Sequence, residues 1–426
     1  MVEHTAPTQP ESSKSLAKWV LIIGAGTFAT SLPQITDSPL DLSLKNVLTK
    51  ELQLGLKDVT DFFFLATFPW YIKPIAGLLS DNIPLFGTRR RHYLILSSVF
   101  AAIMWLLLGV IPRSYWLLFV LLTMLNVMLV IGSTVVGALI VEVGQSRDAA
   151  GRLVAVRNFM EGACGVIAGT FGGLLAYHMS FSWAAVIGAA IAFSLAPLAY
   201  VWLTEPKTKY DSSVLKKAAR EMRRLASSRL MWPAALFIFF VSIPQGFEEA
   251  RYFYQWKDLG LSTQEIGYLM SASGGGAAVA CLVYGFVCPF VRLRVLLAVG
   301  ILSTAAGTVI YVFYTSYQAA VAIEALSGFL ATIGVLALME IAVWATPREA
   351  AATGFSLLMS AWNLGDGAGN ILTARLIEDF HVSFFVVIGL YTTTQVVLLA
   401  AIWLLPNDLF NNPEGEVARQ EHVTLP

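Results

Sequence analysis

The chain has 426 residues, of which 57% are apolar and only 13% charged, with a mean hydropathy of +0.68. A soluble domain carries about 25% charged residues, so half of that charge is missing and the composition is that of a polytopic membrane protein. Lys plus Arg (28) balances Asp plus Glu (28), which removes the electrostatic footprint of a nucleic-acid binder.

Residues 1–16, MVEHTAPTQPESSKSL, are polar and lack an apolar h-region, so they predict a cytoplasmic tail and a first hydrophobic segment kept as a helix rather than cleaved as a signal. The mature chain is expected to start near Met1. Twelve apolar runs follow, at 17–35, 58–80, 93–111, 115–141, 153–177, 182–203, 230–256, 264–286, 293–313, 319–343, 351–375 and 382–404. Each is close to the roughly 20 residues that cross about 30 Å of hydrocarbon as a helix. Unbroken runs such as LILSSVFAAIMWLLLGVI exclude a barrel, whose strands alternate over roughly ten residues. Six spans fall in 17–203 and six in 230–404. Between them the polar stretch 204–229 reads as a cytoplasmic linker with a basic surface helix over Val214–Leu225, and 405–426 reads as a second cytoplasmic tail. Cys164, Cys281 and Cys288 all lie in apolar runs and indicate neither a disulfide framework nor a metal site.

Ionisable groups at membrane depth cost at least about 2.5–3.5 kcal/mol each, so each one calls for a partner, a cavity or a function. Span 2 holds Asp61 and Lys73, with Trp70 near its middle, and ends PWYIKPIAGLLSDNIPLFGTRRRHYL. Within that string Gly77, Asp81, Gly87, Arg89 and Arg90 are similar to the major facilitator loop motif G-x-x-x-D-x-x-G-R-R. Gly77 is expected to permit close helix approach, and Asp81 with the arginines to form a charge cluster that locks one conformation. Span 5 holds Arg157 and Glu161, four apart and so neighbours on one face, which continues through Gly165, Gly169 and Gly172. They read either as a self-neutralising pair beside a packing seam or as a guanidinium fork for an anionic ligand with a proton-accepting acid. On span 7, Glu248, Glu249 and Arg251 predict an outer gate or rim ion pair; span 10 carries Glu324 and Glu340. Span 11 reads Trp362-Asn363-Leu364-Gly365-Asp366-Gly367-Ala368-Gly369-Asn370, too polar for lipid and expected to line a cavity. Arg375, Glu340 and Glu142, near span ends, are expected to be solvated. Trp70 and Trp362 offer flat faces on which a ring can stack.

Orientation follows from the cations. With the N-terminus inside, the segments on its side hold nineteen Lys and Arg, and the segments on the far side five: Lys45, Lys50, Lys57, Arg113 and Lys257. That bias predicts cytoplasmic termini; the membrane is expected to be the plasma (inner) membrane. The halves echo one another. Leu54-Gly55-Leu56 before span 2 recurs as Leu259-Gly260-Leu261 before span 8, and Gly77…Arg89-Arg90-Arg91 recurs as Gly285…Arg292-Leu293-Arg294. Two parallel six-helix repeats around a midplane cavity are the major facilitator construction.

The fuller string, Pro69-Trp70, Lys73-Pro74, Gly77, Ser80-Asp81, Pro84-Leu85-Phe86-Gly87, Arg89-Arg90 and Tyr93-Leu94, resembles the signature of the folate–biopterin transporter family. Phe253-Tyr254, Leu259-Gly260-Leu261-Ser262 and Gly267 are similar to that family's helix seven-to-eight region. Pro347…Glu349-Ala350…Thr353…Leu357-Leu358-Met359-Ser360…Asn363 is similar to its helix ten-to-eleven region. The resemblance implies an all-α integral membrane protein with twelve transmembrane helices in two six-helix pseudo-repeats, the major facilitator fold. It implies secondary active transport of folate, biopterin or a related pteridine, by alternating access with proton-coupled import. Trp70, Lys73, Arg157, Trp362 and Asn363 are then expected to bind substrate, and Asp61, Glu161, Asp366 and Glu324 to exchange protons. Gly77, Asp81, Gly87, Arg89, Arg90, Glu248 and Arg251 are expected to gate. One departure stands at Gly137-Ala138-Leu139-Ile140-Val141-Glu142, where the family usually has an acidic residue at the position of Gly137; a glycine cannot carry a proton. The partners expected are a small-molecule substrate, protons and the bilayer, with the chain a monomer, no nucleic acid and no cofactor or metal. No G-x-x-x-x-G-K-[ST] loop, H-E-x-x-H or paired Cys/His set occurs, which speaks against ATP-driven transport and against an enzyme. The alternative within the class is a facilitator for a sugar, peptide or peptidoglycan fragment; more remote is a non-transporting receptor or membrane-embedded enzyme.

Overall fold

A computed structural model describes residues 13–36, 38–146, 150–205, 207, 220, 223, 225, 227–346 and 351–410. The expected linker helix over Val214–Leu225 lies almost wholly outside the described residues, as do most of both tails and Pro347, Glu349 and Ala350 of the helix ten-to-eleven motif. Twelve helical spans follow one another close to the expected bounds. Spans 1 to 6 are Ser13–Ser31; Leu56–Asn82 in three pieces; Arg91–Val110; Tyr115–Ser146; Ala150–His178; and Phe181–Trp202, broken at Ser194. Spans 7 to 12 are Met231–Asp258 in four pieces; Thr263–Val287; Leu293–Phe313; Tyr317–Ala345; Ala351–Glu378; and Phe384–Leu404, each of spans 9 and 12 ending in a 3-10 turn. Among the described residues the one β pairing is an isolated bridge between Leu85 and Thr88. An even number of crossings leaves the start of span 1 and the end of span 12 on one side of the molecule, here called the terminal face.

Among the described residues eight helices, spans 3–6, 8–10 and 12, are long and apolar enough to cross a membrane. Spans 2 and 7 fall short because they are broken, and the breaks have covalent causes. Pro69 and Pro74 open the second and third pieces of span 2. A proline lacks the amide hydrogen and its ring collides with the carbonyl four residues back, so Pro74 releases the carbonyl of Trp70. That oxygen instead accepts from Ser360 Oγ (3.3 Å) and Asn363 Nδ2 (3.5 Å) on span 11. The carbonyl of Ala66, freed where Trp70 N–H turns to Thr67, accepts from Asn126 Nδ2 at 2.9 Å. Span 7 breaks at Pro244-Gln245-Gly246. Its amide at Glu248 restarts the helix by donating to Asn370 Oδ1 of span 11 at 2.9 Å. Backbone at membrane depth is thus satisfied from neighbouring helices.

Two seams join the halves. In one, Gly165, Gly169 and Gly173 of span 5 meet Gly274, Ser271 and Gly267 of span 8 backbone to backbone; a Cβ on Gly169 would overlap the Ser271 amide. In the other, span 11 runs along span 2 and reaches span 7 through Gly365, against Ser242, and Gly369, against Ile243. Small residues are what allow so close an approach without a hydrophobic drive between helices. Gly172 faces away from the span 5–span 8 seam, against Pro39, and seats a short helix, Asp41–Asn46, that plugs the connection between spans 1 and 2.

The core is asymmetric. On the face away from the termini one continuous apolar cluster takes residues from both halves, among them Leu44, Phe62, Trp105, Phe253, Leu269 and Tyr391. Toward the terminal face the clusters are separate: Tyr93, Val135 and Leu139 in the first half, Met231, Leu297 and Ile341 in the second.

Candidate functional site

A cavity of about 660 Å³ lies between the halves, walled by spans 1, 2, 4, 5, 7, 8, 10 and 11. That volume is in the range of small-molecule sites. Of the residues expected to bind or couple, it gathers Trp70, Arg157, Glu161, Trp362, Asn363 and Asp366, and it adds Glu248 and Arg251 from the expected gate.

Span 11 contributes by helical period. Asn363, Asp366, Gly367 and Asn370, spaced by three and four, face the cavity, while Gly365 and Gly369 turn to span 7. The polar run therefore serves lining and packing on opposite faces of one helix. Asp366 takes only a long contact, 3.4 Å, from Asn370 Nδ2. Trp70 is held by the break beneath it: its Nε1 donates to Asn126 Oδ1 at 2.9 Å, the same amide that caps Ala66. Arg157 and Glu161 meet as their spacing predicts, Nε to Oε1 at 2.9 Å, and remain 19% and 36% exposed to the cavity.

Other expected residues lie elsewhere. Lys73 is buried one layer behind the wall; its Nζ donates to Ser133 Oγ at 3.1 Å and sits 5.0 Å from the Trp70 ring. Asp61 is off the cavity and accepts both oxygens' worth of contact from Arg375 Nη2, at 2.7 and 3.0 Å; Arg375, expected to be solvated, is thereby bound across the halves. Glu324 is 1% exposed and takes Arg251 Nη1 (3.2 Å), Tyr311 (3.0 Å), Tyr314 (2.7 Å) and Gln255 (3.1 Å). Glu248 and Arg251 do not pair as a rim bridge: Glu248 accepts from Lys45 at 3.1 Å, and Arg251 goes to Glu324. Glu340, also expected to be solvated, accepts from Tyr284 at 2.8 Å.

The loop motif closes on its own half. Gly87 has φ +83°, a left-handed turn that favours glycine, and Arg89 and Arg90 amides both donate to Glu205 Oε2 at 3.0 Å. Arg90 Nη1 donates to Ser80 Oγ at 3.0 Å. The side chains of Asp81 and Glu142 lie outside the described set. Gly77 does not mark a tight approach, since a Cβ there would meet Thr134 and Ser356 only at ordinary contact distances of 3.7 and 3.9 Å.

The face away from the termini is sealed by ion pairs between the halves: Lys45–Glu248 (3.1 Å), Arg375–Asp61 (2.7 Å) and Lys57–Asp379 (2.8 Å). Lys45 stands in the plug helix, also bonded to Asp41 at 3.1 Å and set against the rings of Phe63 and Tyr252. Burial alone would lower its pKa, but the carboxylates of Asp41, Glu248 and Glu249 outweigh burial and hold it well above the usual lysine value. Sequence reasoning missed Lys45, Asn126 and the placement of Glu249. The two prolines of span 2 signalled a break, but nothing in the string names the distant amide that repairs it.

Comparison with known proteins gives three kinds of match. The model of the BT1 family matches residues 35–406. The folate-biopterin transporter of Synechocystis sp. is 26% identical over 349 residues, which is 76% of this chain and 68% of that protein. Probable folate-biopterin transporter 4 of Arabidopsis thaliana is 37% identical, but over 133 residues, 30% of this chain and 27% of that protein. Among solved structures, the D-xylose-proton symporter (TM-score 0.66, 16% identity, 92% of this chain and 98% of that one) and the human organic anion transporter MFSD10 (TM-score 0.68, 14% identity, 92% and 100%) share the fold. The fold is that of the major facilitator transporters, two six-helix pseudo-repeats about a central cavity.

Proposed function

Since the chain belongs to the BT1 family, we propose that it is a secondary transporter that carries a folate, a biopterin or a related pteridine across the membrane by alternating access, coupled to inward proton movement. The observation that carries this reading is the cavity itself. It lies between two halves, is sealed on one face, and combines two tryptophan faces with an arginine fork and acidic groups. The halves that rock are 17–203 and 230–404, joined by the linker 204–229, with 1–16 and 405–426 as cytoplasmic tails; the cation bias supports a sealed face turned outside, and the membrane in this reading is the plasma (inner) membrane.

Trp70 and Trp362 hold the planar ring, and Asn363 contributes a polar edge. Arg157 draws the cargo's carboxylate, with the Lys73 charge behind it, and in doing so frees Glu161 to take a proton. Asp366 is the second exchanging acid. Asp61 and Glu324 are committed to Arg375 and Arg251, and we assign them to structure. Coupling then requires that cargo and proton bind the two conformations with different affinity. A ligand that binds only the folded state raises its melting temperature. Purified protein should melt higher with folate or biopterin and be indifferent to D-xylose and dipeptides, and reconstituted vesicles should accumulate the same ligands when the outside is acidified. Stabilisation by a sugar or peptide alone would assign the cavity to another solute.

A further inference from the structure

Glu249 is a cavity group that the transport scheme leaves unused. It follows Glu248 in sequence, yet the two side chains have different surroundings. Glu248 turns to Lys45. Glu249 is 5% exposed, lines the cavity, and has its Oε2 buried with no hydrogen-bond partner. Its charged neighbours do not satisfy it: Lys45 is bonded to Asp41 and Glu248, and Asp366 lies beside Asn370. A buried acceptor without a donor is costly and rare in native structures. Such a position in a cavity wall calls for donors brought in from outside.

The cavity is also polar end to end. In its wall near the sealed face, Glu248, Glu249 and Asp366 are three carboxyls against one cation, Arg251, with the Lys45–Asp41 pair and Glu324 packed behind them. Toward the terminal face, Arg157 in the wall and Lys73 behind it are two cations against Glu161. A cargo with N–H donors at one end and carboxylates at the other has one favoured orientation in such a field.

Resting on the pteridine reading above, we propose that Glu249 is the specificity-determining acceptor for the paired N–H donors of the cargo's aminopyrimidinone edge, so that the ring end lies toward the sealed face and the anionic tail toward Arg157. One carboxylate can accept both donors side by side, as it does from a guanidinium. Other fused rings that lack the paired donors leave Glu249 unsatisfied and are rejected.

The test is calorimetric titration of the full chain with three probes: folate, biopterin, which lacks the glutamate tail, and p-aminobenzoylglutamate, which lacks the ring. Glu249→Gln turns an amide NH2 toward the cargo's donors. It should raise Kd for folate and biopterin by about ten- to a hundredfold, the worth of a charge-assisted hydrogen bond, and leave p-aminobenzoylglutamate unchanged. Arg157→Gln should do the reverse, weakening folate and p-aminobenzoylglutamate and sparing biopterin. If Glu249→Gln weakens all three probes alike, or none, the assignment is overturned while the pteridine reading stands. If the wild type binds none of them, both fall together. Should the ligand-free glutamine variant melt well below wild type, Glu249→Asp, which keeps the carboxylate, decides: ring-bearing probes must bind it more tightly than they bind the glutamine variant, and the opposite order overturns the assignment.

Discussion

Asp366 and Glu324 are acids within spans of the second half, the first half-buried and the second buried, and their surroundings separate their roles. Asp366 opens on the cavity with one long amide contact, so its charge state is free to respond to what enters. Asp366→Asn is expected to abolish acid-driven accumulation of cargo in vesicles and to spare counterflow exchange at saturating cargo; accumulation that survives the change would remove Asp366 from coupling. Glu324 is enclosed by Arg251, two tyrosines and Gln255. Removing one partner of a buried ion pair leaves the other uncompensated, at a cost of about 3–5 kcal/mol, so Glu324→Gln should lower the melting temperature of the detergent-purified protein. A stability equal to wild type would show the network to be dispensable. Both acids are visible in the string as charges in apolar runs. Their difference is not, because it depends on Arg251, Tyr311 and Tyr314, which come from two other helices. The same limit applies to Lys73, whose depth along span 2 is legible while its direction, toward Ser133 rather than the cavity, is not.

Most span bounds were readable to within about three residues, with span 1 (17–35 expected, Ser13–Ser31 found) and the end of span 4 (141 expected, Ser146 found) further off, since an apolar run bounded by polar groups is the signal itself. The breaks in spans 2 and 7 were written in Pro69, Pro74, Pro244 and Gly246, but their repair uses Asn126, Ser360 and Asn370 on other spans, and no local pattern shows that. Glycine positions behave likewise: Gly169 and Gly275 both lie inside long helices, and only their neighbours tell them apart. A Cβ at Gly169 runs into the Ser271 backbone, whereas one at Gly275 meets nothing within 4 Å. Gly169→Leu should therefore force spans 5 and 8 apart and abolish uptake with a fall in melting temperature, while Gly275→Ala should transport as wild type. Equal behaviour of the two variants, measured by vesicle uptake and thermal melting, would mean the seam does not hold the halves together.

At the scale of the molecule, the halves share one apolar cluster on the sealed face, and the described residues keep separate clusters toward the terminal face, so access to the cavity is expected from the terminal face alone. Cys281 lines the cavity and is partly exposed. In a Cys288→Ser background, a membrane-impermeant maleimide supplied at the terminal face should label Cys281, and the same reagent at the other face should not; Arg375→Gln, which breaks the pair with Asp61, should admit the reagent from that face. Labelling from both faces of the unsubstituted pair would contradict the seal. The twelve crossings and their two-fold repetition followed from composition and from the echo of Leu54-Gly55-Leu56 in Leu259-Gly260-Leu261, yet the sidedness did not, because alternative arrangements of rocking halves share one sequence. The joint apolar cluster carries a thermal corollary. Parting it wets oily surface, a process with a large positive heat capacity that grows easier on cooling, so chilling should tilt the resting population toward the form with its plug lifted.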